Sequence, residues 1–328
     1  MKIFITRKIP EKGLELLKKE HEIEVNPHDR VLTKKEIING LKGKDGLICL
    51  LTDNIDAEVI NSEPKLKMIA NYAVGFNNID IKAATKRGIP VSNTPDVLTN
   101  ATAEMAWALL FSVARRIVEA DKFSRAGKFK GWAPMLMLGQ DVSEKTLGVV
   151  GAGRIGTAFA LKSKGFNMKI LYYNGSKNEK LERELNAKKV ELDQLLKESD
   201  FVSLHVPLVP STHHLISEKQ LKMMKETAVL INTSRGPVVD EKALIRALKE
   251  KWIFGAGLDV YENEPIIPEE LKKLDNVVLQ PHSASATYLS RSGMAVLAAK
   301  NMIAGLKGEK PPNCINPEVF DKNKYNKL

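Results

Sequence analysis

The sequence of 328 residues contains little cysteine. Its two cysteines, Cys49 and Cys314, lie far apart and belong to no CxxC or Cys/His cluster. This excludes a disulfide framework and a cysteine-based zinc site. We therefore expect both thiols to be reduced, and we predict no metal site.

The sequence also lacks a long hydrophobic run. Its most apolar window, residues 105–114, is short and is flanked by Glu104 and Arg115. Such a window is typical of a buried helix and not of a membrane span. The first ten residues, MKIFITRKIP, resemble a strand entering a fold more than a signal peptide. We therefore expect a cytoplasmic protein without a membrane partner.

No block of one charge sign is present, although the formal net charge is +10. The lysines are spread along the chain beside glutamates, which is typical of solvated surface and argues against a nucleic-acid partner. The excess positive charge would modestly attract an anionic substrate and a phosphorylated cofactor. The expected partner is therefore a small anionic molecule.

Short apolar segments alternate with helical patterns along the whole chain, which predicts an α/β protein with parallel sheets. The predicted strands are KIFIT, EIEV, GLICLL, LKMIAN, TLGVVG, MKILYY, FVSLHV, AVLINT, GAGLDV and NVVLQP.

The character of the sequence changes near residues 97–100. Thr99 or Asn100 can cap one long helix that ends near Gly127, and an extended arm follows. A last helix, about Thr287 to Gly305, is expected to return the chain to the first domain. We therefore predict one domain of residues 99–285, inserted into a discontinuous domain of residues 1–98 and 286–328.

The segment TLGVVGAGRIGTAFALKSKG contains Gly151, Gly153 and Gly156 in GxGxxG spacing, between an apolar strand and a helix. In such a turn the glycines permit a tight bend, close approach of a pyrophosphate and close packing of helix on strand. Residues 99–285 are therefore predicted to be a Rossmann dinucleotide-binding domain, inserted in a flavodoxin-like substrate domain. The predicted fold has two doubly wound parallel-sheet domains. Glycines at such turns also occur for packing alone.

The strand after this helix ends in YYNGSK, where an acid would bind the ribose hydroxyls of NAD. Asn174 stands at that position, followed by Gly175, Ser176 and Lys177. A hydroxyl and a cation can bind a 2′-phosphate without like-charge repulsion. We therefore predict that NADP(H) is preferred and NAD(H) is possible. The alternative is that Lys177 only begins a solvated helix.

Three downstream segments, INTSRGPVVDEKAL, GAGLDVYENEP and VLQPHSASAT, each follow or end a predicted strand of this domain. Their loops should meet at the carboxyl edge of the sheet, which would bring Arg235, Glu264 and His282 within reach of one another. A guanidinium can hold a carboxylate and polarise the adjacent carbonyl, and an imidazolium supported by a carboxylate can donate a proton. The set suits reduction of a 2-oxo acid. Each of the three residues could instead have only a structural role, and His205, His213 and His214 are assigned no catalytic role.

Over nearly its whole length the chain resembles the D-isomer-specific 2-hydroxyacid dehydrogenases, most closely their glyoxylate/hydroxypyruvate reductase branch. The matching segments are NYAVGFNNIDI, TPDVLTNATAEMAWALL, GVVGAGRIG, HVPLVPSTHHLI, INTSRGPVVDE, GLDVYENEP and PHSASAT.

The resemblance assigns roles to individual residues. The catalytic Arg, Glu and His of the family correspond to Arg235, Glu264 and His282. The cofactor contacts it implies are Arg154, Ile155, Pro207, Thr212, Thr233, Asp259 and Thr102. The substrate residues it implies are Val74 and Gly75, whose backbone N–H groups would bind the carboxylate, with Leu51, Arg235 and Trp132.

The helix and arm of residues 101–140 correspond to the dimerisation segment of the family, so we expect a homodimer in which Trp132 reaches the partner's active site. The alternative is that Trp132 is a simple core or interface anchor. The family commonly has Ile-Gly after the catalytic histidine, whereas this chain has Ser283 and Ala284. The resemblance therefore does not identify which of these residues contact the nicotinamide ring.

Other substrates and functions of the family fit less well. Leu50, Leu51 and Thr52 supply no cation for a substrate phosphate, which disfavours phosphoglycerate. Val74 stands where phosphite dehydrogenases have a lysine. Formate oxidation needs no glutamate-supported proton donor. A nucleotide-sensing corepressor is the rival from another class, but such proteins usually have long flanking extensions. The prediction is therefore reduction of a small 2-oxo acid such as glyoxylate or hydroxypyruvate.

Overall fold

The structure, a computed structural model, describes residues 1–321 and consists of two compact units. One unit joins Met1–Leu98 to the segment that starts at Ala286, and the other is Thr99–Ser285. Residues 322–328 of the predicted substrate domain, including the terminal NKYNKL, lie outside the described residues.

The first unit contains a parallel sheet of five strands in the order β2-β1-β3-β4-β5. This is the flavodoxin-like order, as predicted. The fifth strand was not predicted because two residues are too short to show a pattern. The strands are β1 Lys2–Ile5, β2 Glu22–Val25, β3 Gly46–Leu50, β4 Met68–Tyr72 and β5 Val91–Ser92.

Helices cover this sheet, whose central strands are apolar on both faces, as parallel strands usually are. The second helix starts with a capping box in which Thr33 and Glu36 satisfy each other's backbone N–H groups. The last helix is capped by Thr287, which accepts a hydrogen bond from the Ser290 N–H at 3.1 Å. The helices are α1 Glu11–Lys18, α2 Lys34–Leu41, α3 Ala57–Asn61, α4 Ile81–Lys86 and α13 Tyr288–Leu306.

The second unit contains a parallel sheet of seven strands in the order β12-β11-β10-β9-β6-β7-β8. Six of these strands, β8-β7-β6-β9-β10-β11, follow the Rossmann order and β12 extends it by one strand, so the predicted fold class is confirmed. The two-residue strand β8 was not predicted. The strands are β6 Thr146–Val150, β7 Lys169–Tyr173, β8 Lys188–Lys189, β9 Phe201–Leu204, β10 Val229–Asn232, β11 Gly255–Leu258 and β12 Val277–Leu279.

Two apolar clusters, one containing Leu204 and Leu230 and the other Phe159 and Tyr172, form the core of this unit. None of the helices within residues 1–321 is long and apolar enough to cross a membrane. The helices of the second unit are α5 Thr99–Ala114, α6 Ile117–Arg125, α7 Arg154–Leu161, α8 Glu179–Leu185, α9 Leu192–Glu198, α10 Glu218–Leu221, α11 Glu241–Lys249 and α12 Glu269–Lys272.

The prediction of one long helix ending near Gly127 was wrong. The chain breaks between α5 and α6 at Arg116, which adopts a left-handed conformation with φ of 53°. The Arg116 guanidinium donates to both carboxylate oxygens of Glu119, at 2.8 and 2.6 Å, across the first turn of α6. The helix α5 also starts at Thr99 itself, so neither residue proposed as a cap precedes it.

The strand order of the second sheet changes direction between β6 and β9. At such a switch point the loops after neighbouring strands diverge and leave a crevice at the carboxyl edge. The glycine loop follows β6, and the segment beginning at His205 follows β9. The fold therefore places the predicted dinucleotide loop where open α/β sheets bind ligands.

Candidate active site

The glycine loop after β6 has the geometry that a pyrophosphate site requires. Gly151 has φ of 95°, and a Cβ atom there would lie 2.8 Å from the His205 carbonyl. A Cβ atom on Gly156 would clash with the Gly151 carbonyl oxygen, so α7 packs directly on the loop. The space beside Gly153 is open, with no atom within 4 Å of where a Cβ would stand. A phosphate could therefore approach the backbone at the start of α7.

The first turn of α7 contains two further predicted cofactor residues. Arg154 is exposed, and Ile155 is half-buried. Both lie immediately after Gly153, which is the N-cap of the helix. They are therefore in place to contact a group held by the glycine loop.

Asn174, at the end of β7, is bonded to the glycine loop. Its side-chain oxygen accepts a hydrogen bond from the Ala152 N–H at 3.2 Å, and its amide nitrogen donates to the Ser176 carbonyl and hydroxyl oxygens at 3.0 and 3.3 Å. Lys177 follows and is exposed. The asparagine thus fixes the turn that carries Ser176 and Lys177.

Two residues of this region were missed in the sequence. The Lys189 ammonium, on β8, donates to the Gly175 carbonyl at 3.4 Å, which adds a second cation beside the turn. Asn178 caps α8, and its amide nitrogen donates to the Ala152 carbonyl at 2.9 Å. Only strand pairing brings Lys189 to this turn, so no local motif could have identified it.

Four further predicted cofactor residues lie at three places in the same unit. Thr212 donates to the Pro207 carbonyl at 2.6 Å and so closes the loop after β9. Thr102 is buried in α5. The hydroxyl of Thr233, directly after β10, is buried and has no hydrogen-bond partner within residues 1–321. An orphaned polar group at this edge of the sheet fits the binding of a polar ligand such as a dinucleotide.

His282 and Glu264 form a direct pair. The His282 Nδ1 atom lies 2.7 Å from Glu264 Oε2, and the Tyr261 N–H donates to Glu264 Oε1 at 3.0 Å. The two side chains are 24% and 29% exposed, so the pair remains accessible. Burial acts to raise the pKa of Glu264, but His282, the Tyr261 N–H and the charge of Arg235 outweigh it and lower that pKa. Glu264 is therefore a carboxylate at neutral pH.

Arg235 lies in the loop after β10, close enough to Glu264 for their charges to interact. Burial lowers the pKa of Arg235, and the carboxylate of Glu264 partly offsets that effect. The guanidinium Nη1 donates to the Ser234 carbonyl at 2.7 Å, and Asn232 Nδ2 donates to the Arg235 carbonyl at 2.9 Å. The first bond fixes the guanidinium group of Arg235, and the second fixes its backbone carbonyl.

Close packing of two loops brings Arg235 towards Glu264. A Cβ atom on Gly236 would clash with the Tyr261 carbonyl, so only glycine lets the loop after β10 approach the loop after β11. The structure thus brings the three predicted catalytic residues together on one unit.

Asp259 was predicted as a cofactor contact, and the structure shows an additional role. It is fully buried, and its two carboxylate oxygens accept hydrogen bonds from the N–H groups of Ser283 and Ala284 at 2.7 and 2.9 Å. Burial raises the pKa of Asp259, with these two hydrogen bonds opposing it. The bonds hold the segment after His282, whose φ is 54°. Because backbone N–H groups make these bonds, they do not depend on the side chains. Ser283 and Ala284 can therefore replace the Ile-Gly pair of the family at these positions.

The predicted substrate loop lies in the first unit, after β4. Asn93 Nδ2 donates to the Val74 carbonyl at 2.7 Å, and Asn71 Nδ2 donates to the Gly75 carbonyl at 2.9 Å. These bonds fix the orientation of the peptide groups that were predicted to bind a carboxylate. Leu51 lies half-buried in the turn after β3. The two asparagines were missed because nothing in their local sequence marks them.

Trp132 lies in the arm, where residues 128–145 contain no helix or strand. Its side chain is 84% exposed within this chain, and Met135 is 76% exposed. The arm therefore presents apolar side chains to its surroundings, as the predicted dimerisation segment would.

The fold and the glycine loop define a dinucleotide-binding protein of the Rossmann type. Residues 107–284 match the family model described as D-isomer specific 2-hydroxyacid dehydrogenase, NAD binding domain. The chain is 56% identical over 320 residues to a glyoxylate reductase of Korarchaeum cryptofilum, covering 97% of this chain and 96% of that protein.

Two solved structures are similar over almost the full length. The TT0316 protein of Thermus thermophilus has a TM-score of 0.90 and 44% identity, covering 96% of this chain and 100% of its own. An NADPH-dependent glyoxylate/hydroxypyruvate reductase of Sinorhizobium meliloti, solved with NADP and malonate, has a TM-score of 0.87 and 31% identity, covering 97% and 98%. The chain belongs to the D-isomer-specific 2-hydroxyacid dehydrogenases, which confirms the resemblance found in the sequence. It is an oxidoreductase that uses a nicotinamide dinucleotide.

Proposed function

We propose that this enzyme reduces glyoxylate and hydroxypyruvate to the corresponding 2-hydroxy acids, with NADPH preferred over NADH. The observation that carries the proposal is the His282–Glu264 pair with Arg235 beside it, since these three groups match the needs of 2-oxo acid reduction. The glyoxylate reductase of Korarchaeum cryptofilum, 56% identical, supports this choice of substrate.

In the proposed reaction, Arg235 binds the substrate carboxylate and polarises the neighbouring carbonyl with its planar donors. In the first unit, the backbone N–H groups of Val74 and Gly75 are the predicted ligands of a substrate carboxylate. A reduced nicotinamide bound at this site would supply the hydride for C2, and His282 would transfer a proton to the carbonyl oxygen, so that the C2 carbonyl becomes a hydroxyl group.

Glu264 supports the proton donor. Its oxygen lies on Nδ1 of His282, so the other ring nitrogen, Nε2, is the one that can face the substrate. Because Glu264 is a carboxylate at neutral pH, it stabilises the positive imidazolium before transfer and holds the ring in one orientation. Asp259 supports this arrangement because its hydrogen bonds fix the backbone of the two residues after His282.

The turn after β7 supports the preference for NADPH. Asn174 replaces the acid that would repel a 2′-phosphate, and it holds Ser176 by two hydrogen bonds. Lys177 and the nearby Lys189 add positive charge to the same turn. The relative from Sinorhizobium meliloti is itself described as NADPH-dependent.

We also propose that the enzyme is a cytoplasmic homodimer formed through the helix and arm of residues 101–140. The exposed apolar side chains of the arm support the dimer, because a lone chain would leave them in water. The two cysteines are unpaired, which fits a reducing compartment.

The test is a steady-state assay of the purified enzyme with glyoxylate and hydroxypyruvate, each with NADPH and NADH, followed at the nicotinamide absorbance. Saturable oxidation of NADPH by both acids is expected. His282→Ala is expected to lose turnover while it still binds NADPH, since proton transfer acts in the transition state and the dinucleotide is held elsewhere. The proposal fails if neither acid is reduced, or if His282→Ala keeps the wild-type kcat.

A further inference from the structure

Three side chains with metal-binding atoms converge beside the loop that carries Glu264. His213 and His214 directly follow the short helix Pro210–Thr212, and Glu262 follows Tyr261. One ligand atom from each of the three lies within 4.8 Å of the others. We propose that His213, His214 and Glu262 bind a divalent transition-metal ion such as Zn²⁺.

The chemistry of the three groups suits such an ion. Imidazole nitrogen and carboxylate oxygen are common zinc ligands, and sites with three protein ligands keep a fourth position for water. The prediction from the sequence that the chain has no metal site was based on its cysteines. Glu262 lies 48 residues after His214, so local spacing did not reveal the cluster.

Two of the ligands are already held in place. Glu262 Oε1 lies 2.8 Å from His214 Nε2, and Glu262 Oε2 accepts the Glu241 N–H at 3.2 Å. The Glu262 N–H in turn donates to Glu241 Oε1 at 3.3 Å. The backbone of His214 is fixed by its N–H, which donates to the Pro237 carbonyl at 2.8 Å. Such supporting bonds orient metal ligands and raise affinity.

The third ligand, His213, has the freedom to complete the site. Its ring stacks on that of His214 with centroids 4.0 Å apart, and the residue is exposed. Zinc bonds of about 2.0–2.2 Å in a tetrahedron require ligand atoms roughly 3.3 Å apart. Rotation of the exposed His213 side chain can close that gap. The ion can enter from solvent, because the side chains of His214 and Glu262 are 34% and 24% exposed.

Binding would replace the hydrogen bond between His214 and Glu262. Since imidazole ligands must be unprotonated, affinity for the ion should fall as the pH falls below neutral. The ion would also tie the loop after β9 to the loop that contains Tyr261 and Glu264.

Isothermal titration calorimetry of the full-length, chelator-treated enzyme with ZnCl₂ tests the proposal, with Co²⁺ absorption as a second readout. One saturable ion per chain is expected. His213→Asn and Glu262→Gln should each weaken binding at least about tenfold, as even the loss of a supporting group costs that much. His213 is exposed, so its variant should fold normally, and circular dichroism checks that.

Two control variants make the result specific. His28→Asn removes an exposed histidine of the first unit, and His282→Asn removes the His282–Glu264 pair as a competing site. Both should bind Zn²⁺ as the wild type does. The proposal is overturned if the wild type binds no Zn²⁺, if His213→Asn and Glu262→Gln bind it unchanged, or if His282→Asn abolishes binding.

Discussion

At the scale of single residues, His282 is held by two carboxylates with different tasks. Glu264 contacts its ring and keeps a negative charge there, whereas Asp259 is buried and binds the backbone of the next two residues. The Glu264 carboxylate therefore affects the protonation of the His282 ring, and the Asp259 carboxylate affects the position of the backbone after His282. Variants of the two should therefore differ in their pH profiles.

Replacing Arg235 by lysine should raise KM and lower kcat together. A point-charge ammonium cannot reproduce the planar clamp on carboxylate and carbonyl, and the loss of a charge-assisted hydrogen bond of roughly 1.5–3 kcal/mol lowers kcat/KM by about 10- to 100-fold. Steady-state kinetics with glyoxylate measures this. Arg246→Lys, on the surface, is the matched control and should behave as wild type. Near-wild-type kinetics for Arg235→Lys would remove that residue from the proposed site.

Glu264→Gln should move the high-pH limb of the reductive kcat/KM profile to lower pH. The wild-type carboxylate, whose pKa is lowered against burial by His282 and its other partners, favours the protonated imidazole. A neutral amide does not, so the proton donor is lost at a lower pH. The pH profile of kcat/KM measures the shift, and an unaltered profile would count against the pair.

At the scale of elements, the turn after β7 depends on hydrogen bonds from three parts of the chain. Asn174 bonds to the glycine loop, Asn178 joins the start of α8 to the same loop, and Lys189 reaches the turn from β8. The proposed cofactor preference therefore depends on the paired strands β7 and β8 and on the helix α8 between them.

Asn174→Asp combined with Lys177→Ala should reverse or erase the preference for NADPH. The introduced carboxylate repels a 2′-phosphate and the lost cation no longer binds it, so the ratio of kcat/KM values should change by about one to two orders of magnitude. Lys180→Ala, at the second residue of α8, is the control and should leave the ratio unchanged. A wild-type preference for NADH would show that the missing acid was wrongly interpreted.

At the scale of the whole molecule, the arm of residues 128–145 has exposed apolar side chains that packing within a single chain does not explain. It exposes Phe129, Trp132, Met135 and Leu138. Scattered apolar side chains are normal on surfaces, but a run of them on a segment without secondary structure is typical of an interface.

Trp132→Ser with Met135→Ser should weaken the proposed dimer. Truncation of a buried interface tryptophan commonly costs at least about 2 kcal/mol, so Kd for dimerisation should rise roughly 30-fold or more. Analytical ultracentrifugation over a dilution series measures it. Tyr288→Ser is the control, because Tyr288 is also highly exposed and lies outside the arm. A wild-type enzyme that is monomeric at micromolar concentration would contradict the proposal.

His205 should make stability depend on pH. Burial lowers the pKa of His205 from 6.5 to about 3, and its ring packs on Phe159 with centroids 5.0 Å apart. Below pH 6.5 the unfolded chain takes up a proton that the folded chain takes up only near pH 3, so stability falls as pH falls through this range. His205→Gln should lose less Tm between pH 7 and pH 5 than the wild type does. Thermal unfolding measures this, with His28→Gln as control; equal losses would contradict it.

Much of the fold follows from local patterns. Apolar segments with turn residues between them identified ten strands, because a buried parallel strand needs a continuous apolar run whatever surrounds it. The glycine spacing identified the dinucleotide loop for a similar reason, since the positive φ of Gly151 and the contact of Gly156 with the Gly151 carbonyl oxygen both arise within one strand–turn–helix unit. The two-residue strands and the break at Arg116 could not be predicted, because contacts with distant residues or a left-handed turn decide them.

The sequence by itself determined the family, the sheet class and the identity of the proposed catalytic residues, because motifs of that length occur together in few proteins. Only the tertiary structure decided how those residues are supported. The bonds of Asp259 to Ser283 and Ala284, of Asn93 to Val74, and of Lys189 to the Asn174 turn join residues far apart in the chain. Hydrogen bonds act over about 3 Å in space, and sequence separation says nothing about that distance until the sheets have formed.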